Sequence, residues 1–152
     1  MDTKKLLKTL TIEEKIGQLM QLAPFFFIED IDVKIFGQVK DLNLNKEKIF
    51  HSGSVLGNNN AKQMIEIQKK YLKESRHKIP LIFMADVIHG FKTVFPVPLA
   101  MAASWRPDLA KHAASIQAKE ARVSGIQVTF SPMVDISRDP RWGRVVESFA
   151  PK

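Results

Sequence analysis

Pro80-Leu-Ile-Phe-Met-Ala-Asp86 decides the fold. Five apolar residues, Leu81 to Ala85, run without interruption into a carboxylate. A short continuous apolar run of this kind is expected of a strand buried on both faces, as in a parallel sheet. Upstream, Ser54-Val-Leu56 is a second short apolar strand, closed by Gly57 and three asparagines, Asn58 to Asn60, which suit a turn and a helix N-cap. Between the two strands, Ala61, Met64, Ile65, Gln68, Tyr71 and Leu72 fall on one helical face. Downstream, Pro107 and Asp108 open a helix carried by Leu109, Ala113, Ile116 and Glu120 and stopped by Gly125. Ile126-Gln-Val-Thr-Phe130 is a third strand, ended by Ser131-Pro132. The alternation predicts parallel strands near 54–56, 80–86 and 126–131, with crossover helices near 60–75 and 107–124.

The amino-terminal stretch is less regular. Thr11-Ile-Glu-Glu14 has the form of a capping box, and Ile12, Ile16, Leu19 and Met20 follow at helical spacing, so a short amphipathic helix is expected. Pro24 breaks it, Phe25-Phe-Phe27 is an apolar knot, and the polar run from Asp41 to Lys48 suggests an exposed excursion. The chain divides into residues 1–52, leading in, and residues 53–152, the regular βα units. It has no internal repeat and no low-complexity linker.

Composition narrows the function classes. The 152 residues suffice for one ordinary domain with its own core. The chain has no cysteine, which excludes disulfides and thiolate metal sites and fits a reducing compartment. The start, Met1-Asp-Thr-Lys-Lys-Leu-Leu-Lys8, has no apolar stretch long enough for a secretory signal, and no run approaches the roughly 20 apolar residues of a membrane span. A cytoplasmic protein without a membrane partner is expected. The formal charge is +7, but the lysines are scattered, which marks a solvated surface rather than a nucleic-acid stripe.

Chemistry gathers at two strand ends. In parallel α/β architectures ligand sites form beyond the carboxyl ends of the strands. Asp86 leaves its strand at that point, where a carboxylate either accepts hydrogen bonds from vicinal hydroxyls or caps the next loop. His89, beside Gly90, is either a ligand donor or a satisfied structural residue. After the third strand, Arg138, Asp139, Arg141, Arg144 and Glu147 crowd around Trp142. Some of these charges must pair, since unpaired charges under a packed loop are costly. One arginine is expected to reach the ligand while Asp139 and Glu147 orient it or its neighbours. Trp142 is an apolar plug or a face for a sugar ring.

Six blocks, in order, then carry a resemblance: Gly53-Ser-Val-Leu-Gly57, Ser75-Arg76 with Ile79-Pro-Leu81, Asp86-Val-Ile-His-Gly90, Thr93-Val-Phe-Pro96, Ala103-Ser-Trp105 and Asp139-Pro-Arg-Trp-Gly-Arg144. They resemble the amino-terminal domain of glycoside hydrolase family 3, especially bacterial β-glucosidases of the broad-specificity periplasmic type, over about residues 6 to 149. The resemblance implies the amino-terminal part of a (β/α)8 TIM-like barrel, truncated and not closed, because a complete barrel takes about 250 residues. It implies that Asp86 and Arg144 bind substrate, with His89, Asp139, Arg141, Trp142 and Glu147 supporting them. It also implies a periplasmic or secreted alternative for the compartment.

The family hydrolyses terminal non-reducing β-D-glucosyl or similar residues with retention, using two carboxyl groups about 5 to 5.5 Å apart. Asp86 and Glu147 are not that pair: the resemblance makes the first a binding group, and the second lies where an arginine-orienting residue is expected. No catalytic residue, metal or cofactor is therefore expected in this chain. The expected partners are a β-glucoside or oligosaccharide and a missing carboxyl-terminal part of the enzyme, with no nucleic acid. After Phe149 the family continues Gly-Glu-Asp-Pro, whereas this chain reads Ala150-Pro-Lys152, the pattern of a gene fragment, frameshift, splice difference or truncated record. The alternative function is a non-catalytic carbohydrate-binding or pseudoenzyme remnant.

Overall fold

Helix caps written into the sequence start the chain's first elements. In the computed structural model, which describes residues 2–28, 44–58 and 60–149, the Asp2 side chain accepts from the Lys4 and Lys5 amides and opens α1, Thr3–Thr9. Thr11 opens α2, Ile12–Gly17, with the full capping box: Glu14 N donates to Thr11 Oγ1 at 3.2 Å and Thr11 N to Glu14 Oε2 at 2.8 Å. The inward face of α2 is the reverse of the expected one. Ile12 and Ile16 on the helix are 69% and 60% exposed and Leu19 just past it 87%, while Glu14 and Gly17 are buried. Glu14 turns inward because Arg76 and His77 meet its carboxylate there.

The chain forms two compact units, Met1–Met84 and Ala85–Lys152. In the first, β1 (Gln21–Leu22), β2 (Ser54–Leu56) and the start of β3 (Ile82–Ala85) form a parallel ladder in chain order. Gln21 is opposite Ser54, and Val55 is opposite Phe83. Between β2 and β3 runs α5, Ala61–Glu74, capped by Asn60, whose side chain accepts from the Gln63 amide. Its buried face is Met64, Ile67 and Tyr71; Ile65, expected inside, is 55% exposed. Two further short helices, α3 (Phe25–Ile28) and α4 (Lys46–Ile49), fall in the stretch that had no legible pattern. Part of the expected polar excursion, residues 41–43, lies outside the described residues.

An aromatic cluster centres this unit. Phe27, Phe50 and Tyr71 pack with ring centroids 5.9 to 6.3 Å apart, and the buried Tyr71 hydroxyl donates to Ser52 O at 2.6 Å. That bond satisfies a phenol that would otherwise cost its desolvation. β3 corrects a second expectation. It alternates rather than lying buried on both faces: Phe83 and Ala85 are buried, while Ile82 is 43% exposed and Met84 half-buried. The four strands among the described residues fall far short of the eight that close a barrel and fill its interior.

The second unit holds α6 (Pro98–Ala103), α7 (Pro107–Val123), the two-residue β4 (Val128–Thr129) and a 3-10 turn, Val145–Glu147. Ala113, Gln117 and Ala121 form the buried stripe of α7; Leu109, expected there, is 44% exposed. The helix ends in a Schellman motif. Ile126 N donates to Ala121 O and Gly125 N to Arg122 O, with Gly125 at φ 97°, a conformation that favours glycine. Among the described residues, no helix is long and apolar enough to cross a membrane.

Candidate functional site

Strand alternation places Asp86. It follows Ala85 directly, so it shares the open face of Ile82 and Met84 and is itself exposed. The chain then folds back. Gly90 bridges Val94 in antiparallel fashion, Phe95 N donates to His89 O at 2.7 Å, and His89 Nδ1 lies 3.3 Å from Phe95 O. His89 is thus the base of a short reversed loop, with one ring nitrogen occupied locally.

Past β4 the chain turns through a cis Ser131–Pro132 bond into the charged stretch. The charges there sort into two pairs. Asp139 accepts from Arg141 three ways: from the backbone N at 2.9 Å, from Nε at 2.9 Å and from Nη2 at 2.6 Å. This closes a local turn with both side chains well exposed, and Trp142 N donates to Asp139 O at 3.1 Å within it. Trp142 itself is 37% exposed. Glu147 Oε2 accepts from Arg144 Nη2 at 2.6 Å and Nε at 3.0 Å, and the pair is more sheltered.

Electrostatics join the second pair to the strand end. The Arg144 guanidinium is stabilised in its charged form by Glu147 first, and further by the charges of Asp86 and Asp135. Glu147 is held below the usual carboxylate range by the hydrogen bonds from Arg144, with His89 adding in the same direction. Asp86, His89, Arg144 and Glu147 therefore share one electrostatic neighbourhood in the second unit. Asp139, Arg141 and Trp142 form a turn of their own. Asp135 belongs with the first group and was missed from sequence. The available signal was its place, like that of Asp86, shortly after a strand.

The arrangement can hold a guanidinium fork in a fixed orientation. Glu147 uses two of the five N–H donors of Arg144, fixing the plane of the fork. A carboxylate stabilised as an anion by a guanidinium is poorly suited to act as general acid, which needs a raised pKa.

Parallel strands, a crossover helix and a polar cluster beyond the strand ends define an α/β protein of the barrel type, of which this chain carries the first strands. Residues 11–152 match the glycosyl hydrolase family 3 N terminal domain, and the chain belongs to that family. It is 37% identical over 146 residues to a periplasmic β-glucosidase of Salmonella typhimurium, covering 95% of this chain and 18% of that protein. It is 33% identical over 122 residues to a β-xylosidase of Formosa agariphila, covering 80% of this chain and 16% of that one. A crystal structure of a β-glucosidase from Listeria innocua in complex with glucose matches with a TM-score of 0.85 and 45% identity, over 99% of this chain and 22% of that chain. The chain thus spans about a fifth of the length of these relatives.

Proposed function

We propose that this chain supplies the amino-terminal part of the sugar pocket of a retaining glycosidase acting on terminal non-reducing β-D-glucosyl or similar residues. In this reading residues 53–152 are the first βα units of the barrel, Asp86 accepts hydrogen bonds from sugar hydroxyls, and Arg144 donates to them. Glu147 fixes the guanidinium, and His89 borders the same charges. Asp139 and Arg141 shape the turn that presents Trp142. The nucleophile and the acid/base come from elsewhere in the full enzyme. The observation that carries the reading is that Arg144, hydrogen-bonded to Glu147, is also favoured in its charged form by Asp86, from a segment about 60 residues earlier in sequence. A β-glucosidase and a β-xylosidase both stand among the relatives, so the sugar itself is a pentose or a hexose of like configuration. The absence of cysteine fits a cytoplasmic setting, while the Salmonella relative is named for the periplasm; fractionation of the source cells decides between the two.

The test is titration of the chain with glucose and with xylose, followed by NMR, beside an assay of aryl β-glucoside hydrolysis. Binding without turnover is expected. Losing one hydrogen bond to a charged group through Asp86→Asn or Arg144→Gln should weaken binding about tenfold or more. Turnover abolished by the Asp86 substitution would make it a catalytic group and overturn the assignment. Sugar binding indifferent to both substitutions would remove the pocket altogether.

A further inference from the structure

Glu120 sits on the last turns of α7, where the sequence pattern gives it no task beyond continuing a helical face. Its carboxylate reaches the tip of the loop that begins at Asp86. Oε2 accepts from Lys92 N at 2.9 Å and from Thr93 N at 2.8 Å, and Oε1 accepts from Thr93 Oγ1 at 2.6 Å. Consecutive amides at the tip of a reversed loop have no ladder partner of their own, and here one carboxylate takes both. The Thr93 hydroxyl, then its amide, holds Glu120 below the usual carboxylate range, so the acceptor is an anion.

The loop transmits this hold to its base. Gly90 is bridged to Val94, and the Phe95 amide is bonded to His89 O. Gly90 has φ 144°, and an added Cβ would collide with Thr93 O, so the turn is tightly closed. At the base, His89 bears electrostatically on Glu147, whose carboxylate orients Arg144. The path from Glu120 to His89 thus runs through the Lys92 and Thr93 amides and then the two cross-loop pairings, Gly90 with Val94 and His89 with Phe95, within residues 89 to 95.

We infer that Glu120 is a positioning residue: by clamping the Lys92–Thr93 turn it fixes His89, and with it the strand-end arrangement of Asp86 that meets the sugar. The role rests on the sugar-pocket reading for its purpose, but the mechanical part can be tested without sugar.

The experiment compares the full 152-residue chain with Glu120→Ala, Glu120→Gln and Thr93→Val, by amide hydrogen exchange, by the His89 ring nitrogen shifts and by glucose titration. In Glu120→Ala, exchange at Lys92 and Thr93 should accelerate about tenfold or more, as expected on losing bonds to a charged acceptor, while α5 amides stay as slow as before. The His89 shifts should move, and glucose affinity should fall. Glu120→Gln keeps an acceptor oxygen and should restore most of each effect. Thr93→Val removes one of the three bonds and should lie between, which keeps the test intact if the alanine variant fails to fold. Unchanged exchange at Lys92 and Thr93, or a freed turn with unmoved His89 shifts, would overturn the inference. Moved shifts in a chain whose parent binds no glucose would leave the clamp standing and sink the sugar-pocket reading instead.

Discussion

At the scale of single residues, Gly90 has little freedom to change. Its φ of 144° lies in the region side chains avoid, and a methyl group there meets the Thr93 carbonyl. Gly90→Ala should therefore cost about 1 to 3 kcal/mol, the range for a strained backbone position. Urea unfolding of the second unit checks this, and a midpoint equal to that of the parent would show that the loop relaxes without strain. The position of Asp86 was legible in the sequence because an apolar run gave it a frame: five apolar residues, four of them strand, fix where the next one emerges. Asp135 had only its place after a strand to mark it, since Ser131-Pro-Met-Val offers no periodicity against which to place the next side chain. Within the charged stretch, sequence predicted that carboxylates would hold arginines. Which carboxylate holds which arginine depended on turn geometry: Asp139 serves Arg141, and Glu147 serves Arg144.

At the scale of elements, helices with caps were legible and short pieces were not. α5 was read to within a residue at each end because Asn60 caps it and its apolar positions repeat. β1 and α4 span two and four residues, too short for any period to register. α2 was read correctly as a helix but with the wrong face inward, since periodicity ranks hydrophobicity and ignores a charge that finds partners. Glu14 finds three: Thr11 N, the Arg76 guanidinium at 2.6 Å and 2.8 Å, and His77 Nε2 at 3.1 Å. The Arg76 bonds are the main reason its pKa falls from 4.5 to about 2, against the opposing effect of burial. A folded pKa below the unfolded one stabilises the fold above the unfolded value, and the contribution fades as pH drops from about 4.5 towards about 2. Arg76→Ala should remove most of this depression, moving the acid unfolding midpoint of the first unit to higher pH. It should also cost about 2 kcal/mol at neutral pH, as expected when a buried carboxylate loses charged donors. Circular dichroism followed from pH 7 to 2 makes the comparison; coincident acid curves for parent and variant would refute the link.

At the scale of the whole molecule, apolar exposure and net charge oppose each other. In the first unit Ile12, Ile16 and Leu19 stand 60% to 87% exposed on neighbouring turns, forming an apolar patch of the kind that marks contact surfaces. In the second unit Val134 and Ile136 are 81% and 61% exposed. The charge of +7 keeps like chains apart, but only across a Debye length, which shrinks from about 30 Å at 0.01 M salt to about 8 Å at 0.15 M. Apolar contact is not screened by salt. The chain should therefore sediment as a monomer at low salt and associate as salt is raised, the reverse of an assembly held by ion pairs. Ile16→Lys with Leu19→Lys should suppress that association. Both side chains are already exposed, so each change should alter folding stability by no more than about 0.5 kcal/mol. Sedimentation velocity at the two salt concentrations, with unfolding curves for both chains, separates lost contact from lost fold. Association that weakens with salt would assign the contact to charge, and a doubly substituted chain that still associates would move it away from α2.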